Sequence, residues 1–90
     1  MKTKRAWHES KLPLGEYLQP GDVVDEEMMY YFLEVLFPAC YSSRCIQIGE
    51  PYTHTSNGEP MFSTLERIDG NWVYTGIKTT PATEQALYVQ

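Results

Sequence analysis

Basic side chains nearly vanish from this chain after its first eleven residues. Positions 12–90 hold only Arg44, Arg67 and Lys78 against eleven carboxylates, a balance of −8. Grip on a phosphate backbone comes from clustered Lys and Arg, so direct nucleic-acid binding by the folded part is not expected. Long apolar runs are missing as well. No stretch reaches the roughly 18 apolar residues that a membrane-crossing helix needs, and no membrane association is expected. The early charges Lys2, Lys4 and Arg5 are followed by Ala6-Trp7 and then at once by His8-Glu9-Ser10-Lys11, which leaves no apolar region of the signal-peptide kind.

Soft metal ligands are equally few: Cys40, Cys45, His8 and His54. A Cys-x4-Cys pair with one nearby His sits at the loose edge of zinc spacings, and a fourth ligand would have to come from the N-terminal arm. Neither a metal nor any other cofactor is expected, and the cysteines read as thiols in a reducing cytoplasm. A bridge between them across the short intervening loop belongs to the alternative of a processed, secreted form. Cys45 with His54, oriented by Glu50, is the nearest thing to a nucleophile and base, yet only Arg44 stands by to lower the thiol pKa. Ser42-Ser43 lacks the strand–turn–helix elbow of a hydrolase serine. The glycines are dispersed and form neither a Gly-x-Gly-x-x-Gly nor a Walker pattern. No catalytic residue is assigned, and the chain reads as a non-enzyme.

What remains is a chain of 90 residues with 42% hydrophobic and 13% aromatic content, including seven tyrosines. That length supports one domain burying about 60–65% of its unfolded surface. Residues 1–11 carry a balance of +3 and read as a flexible, basic, polar arm, with 12–90 as the single folded domain. Leu12, Leu14, Tyr17 and Leu18 are apolar anchors in an irregular segment closed by Pro20-Gly21.

The strongest local signals are Asn57-Gly58 and Asp69-Gly70, tight-turn dipeptides set between β-branched and aromatic runs. They predict a three-stranded antiparallel meander over about 45–54, 61–68 and 72–78. Asp22 or Asp25 can cap a helix whose first turn holds Glu26 and Glu27, and Pro38 must end it. The expected fold is therefore α+β, with one main helix over about 24–37 packed on the meander. Met28, Met29, Phe32, Leu33, Val35 and Leu36 form its inward face. Thr80-Pro81 adds a helix-start signal for a short C-terminal helix over about 81–88, the alternative being an extended tail. Two registers suit the second hairpin. A two-residue turn sets Leu65 opposite Tyr74 and Phe62 opposite Ile77; a three-residue loop sets Leu65 opposite Val73 and Met61 opposite Ile77.

The outer face of the main helix collects Glu27, Tyr30, Tyr31, Glu34 and Phe37, more aromatic than a solvent face requires. Trp72 and Tyr74 join it if the second face of the sheet is open. These residues are the candidate partner-binding surface of a small protein-interaction module, engaging a protein partner or a second copy. Its competitor is burial of the same helix face under another segment of the chain. Other function classes are an acidic inhibitor or nucleic-acid mimic that blocks a basic cleft, and an enzyme or zinc domain built on Cys45 and His54.

Overall fold

The computed structural model describes residues 1–79 and 87–88. In it the molecule is built on an antiparallel sheet and has only short helices. The strands are β1 (Val23–Val24), β2 (Pro38–Tyr41), β3 (Cys45–Ile48), β4 (Thr53–His54), β5 (Pro60–Ile68), β6 (Asn71–Lys78) and β7 (Leu87–Tyr88). Their order across the sheet is β1-β6-β5-β3-β2-β7, and β4 pairs with β5 beside that path. The helices are α1 (Lys4–Ser10), α2 (Leu14–Tyr17) and α3 (Glu26–Glu34).

This corrects the expected main helix on a three-stranded meander. Val23-Val24, read as helix start, pairs instead with Trp72 and Val73 on the edge of β6, as β-branched residues favour. Asp25 then caps α3, accepting a 2.7 Å hydrogen bond from the Met28 amide. Asp22 is occupied elsewhere, accepting from the Gln19 amide. At the other end Val35 is already the C-cap of α3, and the segment before Pro38 leaves the helical region. Between α3 and β3 lie β2 and a serine turn, in which the Ser42 hydroxyl accepts from the Arg44 and Cys45 amides. The strand drawn over 45–54 is two strands separated by a bend at 49–52. The C-terminal helix falls mostly on residues outside those described, but Leu87–Tyr88 is a strand paired with Tyr41 and Cys40 of β2. Residues 4–10, read as part of a flexible arm, are helical behind a Thr3 cap that accepts from the Ala6 amide.

The Asp69-Gly70 signal holds. Both residues have positive φ, 50° and 80°, and Ile68 faces Asn71 across a two-residue turn, as a type I′ hairpin requires. Leu65 accordingly faces Tyr74. An irregularity follows between Thr64 and Leu65, after which Phe62 faces Lys78 rather than Ile77. One extra residue on β6 shifts every later pairing.

Ile46, Leu65 and Tyr74 form a row across β3, β5 and β6. Together with Val24, Tyr17, Leu18 and the α3 residues Met28, Met29 and Phe32, they make the hydrophobic core. The opposite face of the central strands is also covered. Cys40, Gln47 and Thr64 are buried there, and the Gln47 amide donates to the Thr64 hydroxyl at 3.0 Å.

Candidate interaction surface

Helix α3 presents its core residues Met28, Met29 and Phe32 to the sheet and leaves its other sides for the surface. Glu27, Tyr30 and Glu34 follow at i, i+3 and i+7, so they lie along one stripe. All three are exposed, Tyr30 at 59%. Just past the helix, Phe37 stands 78% exposed and Val35 55% exposed. Leu33 is exposed too, so Leu33 and Val35, expected in the core, belong to the surface. α3 ends at Glu34 with Val35 as its C-cap, and the residues it gives to the core are Met28, Met29 and Phe32.

The chain leaving α3 is pinned by β3. The Gly49 amide donates to the Phe37 carbonyl at 2.7 Å. A side chain at Gly49 would overlap that same carbonyl oxygen, so this approach requires glycine. Pinning the backbone there turns the Phe37 ring outward and opens a groove of about 670 Å³ between Val35, Leu36, Phe37 and Ala39 on one wall and Ile48 and Glu50 on the other. Such a volume lies within the ordinary range for binding clefts.

The other candidate residues separate. Tyr31 is half-buried in a ring cluster, with its centroid 5.4 Å from those of Trp7 and His8 in edge-on geometry. Lys4 lies 4.7 Å over the same Tyr31 ring. Its cover is α1, an element not recognised in the sequence. The isolated Trp7 was the available signal, since its ring needs a partner: the indole donates to the Leu12 carbonyl at 2.7 Å. Trp72 is half-buried beneath the Arg67 guanidinium, 5.3 Å from its centroid. With Glu27 it lines a separate recess of about 390 Å³. Tyr74 is 1% exposed, and burial pushes its phenol above the ordinary range. It is a core residue and no part of a contact surface. Thus Glu27, Tyr30 and Glu34 share one stripe of α3, Phe37 stands exposed beyond its end, Tyr31 and Trp72 are half-buried, and Tyr74 is removed. The groove residues Ala39, Ile48 and Glu50 were missed because β2 was not recognised.

The chemical candidates do not converge. Cys45 faces Glu66 and His54 faces Pro60 on β5; this is a separation of about 20 Å at a rise of about 3.3 Å per residue. Burial, with the nearby Glu66 charge adding to it, pushes the Cys45 thiol up to about 11. It therefore stays protonated at neutral pH. Lys78, at 2.8 Å, and Thr75 hold Glu66 below the usual carboxylate range. Cys40 and Cys45 are both buried and are not joined in a disulfide. Among the described residues no three His, Cys, Asp or Glu side chains gather as a metal site, and no helix is long and apolar enough to cross a membrane. Comparisons with protein-family models, with curated proteins and with solved structures find no match to this chain.

Proposed function

We propose that this protein is a small non-enzymatic interaction module that binds a protein partner through the aromatic and acidic side of α3 and the groove beyond it. What supports this reading is that Tyr30, Leu33, Val35 and Phe37, close in sequence at the end of α3, are all exposed, and that Val35 and Phe37 line a groove. Exposed aromatic side chains beside a groove are what an interface is built from. The buried, unbridged cysteines are consistent with a cytoplasmic setting, which is part of the same proposal.

The test is affinity purification from the native host with the full chain, run beside a Tyr30→Ala, Phe37→Ser double variant. Both positions are exposed, so the variant keeps its circular dichroism spectrum and melting temperature. The expected result is a specific set of co-purifying proteins that the variant loses. Identical sets from both chains would remove this surface from consideration. Sedimentation velocity of the two chains addresses self-association directly.

A further inference from the structure

We infer that the partner segment is cationic and amphipathic: a stretch of protein that lays apolar side chains in the Phe37 groove and sets Lys or Arg against Glu27, Glu34 and Glu50. The inference rests on the interaction-module reading and adds the chemistry of the occupant. It follows from how the charges of this chain are used. Glu9, Asp22, Glu26 and Glu66 are held by Arg5, Lys2, Arg67 and Lys78, and Asp25 is spent on the helix cap. The carboxylates around the patch have no such partner among the described residues. Three cations are left over, Lys4, Lys11 and Arg44, and none is ion-paired with Glu27, Glu34 or Glu50 among the described residues; Lys11 lines a recess with Trp7 and Tyr31. Lys4 sits on the Tyr31 ring, and Arg44 lies in the turn at the far end of β2 from Phe37.

Charge of one sign around an apolar groove selects its occupant. A second copy docked through a two-fold axis would bring the same carboxylates face to face, because such an interface uses one patch twice. An anionic lipid surface or a nucleic acid meets the same repulsion. A cationic segment is attracted from a distance by the net charge of −5. Spacing sharpens this further. Glu27 and Glu34 are two helical turns apart, about 10 Å, with Tyr30 between them and the groove starting at Val35. The complementary segment carries basic groups about 10 Å apart on the same face, followed by an apolar side chain.

The experiment is fluorescence anisotropy with the full chain and a labelled 18-residue model helix of lysine and leucine in amphipathic register. Two control peptides replace lysine by glutamate or leucine by serine. The expected result is binding of the lysine–leucine peptide that weakens about tenfold or more between low and high salt. Phe37→Ser and a Glu34→Lys, Glu50→Lys double variant should each lower affinity about tenfold, whereas Glu59→Lys, on the β4–β5 turn, should change it less than about twofold. Equal losses with Glu59→Lys would mean diffuse charge attraction and overturn the site. Equal binding of the glutamate peptide, lost in Phe37→Ser, would overturn the cationic occupant while leaving the interaction surface standing. A dimer dissolved by Phe37→Ser in sedimentation equilibrium would assign the surface to a second copy and overturn the inference. No binding of any peptide would also overturn it; the module reading then falls only if native partners are indifferent to Tyr30→Ala, Phe37→Ser.

Discussion

Met28–Phe32 and Leu33–Phe37 are adjacent stretches of almost equal apolar content with opposite fates. From the first, Met28, Met29 and Phe32 are buried under the sheet; from the second, Leu33, Val35 and Phe37 face solvent. Composition does not separate them. The difference is made by the Asp25 cap, which sets the helix phase against the row Ile46, Leu65, Tyr74, and by the early end of α3 at Glu34. Charge follows the same division. At the helix start Glu26 is bound to Arg67 at 3.2 Å, while Glu34 at the helix end has no ion pair among the described residues. One end of the helix is tied to the fold and the other is exposed.

The buried side gives the largest expected effect. Phe32→Ala removes a fully buried ring beneath the sheet and should destabilise by about 3–5 kcal/mol, measured by urea unfolding. A loss below about 1 kcal/mol would mean the packing of α3 is not what the core depends on. Gly49→Ala strikes the junction between the two regions. The added methyl meets the Phe37 carbonyl, so a loss of about 1–3 kcal/mol is expected, accompanied by a change in Phe37 side-chain NMR shifts. Unperturbed Phe37 resonances would show that the glycine does not shape the groove.

Asp25→Ala removes the cap and should lower stability by about 1 kcal/mol, with Asp25→Asn restoring most of it. If alanine and asparagine behave alike, the hydrogen bond to Met28 is not what sets the helix start. The smallest effect belongs to the open side. Phe37→Ser should change unfolding free energy by less than about 0.5 kcal/mol, despite deleting a full aromatic ring. A loss comparable to Phe32→Ala would place Phe37 in the core and erase the contrast between the two stretches.

Local chemistry made part of this legible. The turn at Asp69-Gly70 needs two residues at positive φ and has them, so the β5–β6 hairpin was readable from two letters. The negative first turn and the cap of α3 were readable in the same way. Other features were not. The shift that moves Phe62 opposite Lys78 depends on how β6 must bend, and no residue type announces it. Strand β2 was obscured because Pro38 reads as a helix stop and Ser42-Ser43-Arg44 as loose chain, although serines at a turn before a β-capable run were a usable clue. Helical spacing sets Glu27, Tyr30 and Glu34 on one stripe of α3, and all three are exposed, whereas Phe37 lies past the helix end, where spacing has no say. Tyr31 is half-buried and Tyr74 buried because each is covered by something distant in sequence, Trp7 in one case and α3 in the other.

By itself, then, the sequence determined the hairpin turn, the capped start of α3, the position of Pro38 as a limit to that helix, and the acidic balance of the domain. These rest on backbone sterics, capping and composition, which act within a few residues or need no geometry at all. Only the tertiary structure decided that Val23-Val24 and Pro38–Tyr41 are strands, that Tyr74 is interior, and that Val35 and Phe37 frame a groove. Those outcomes depend on which distant segment pairs with which. Strand pairing and burial are properties of neighbours in space, and the same apolar side chain is core or contact surface according to whether a neighbour arrives to cover it.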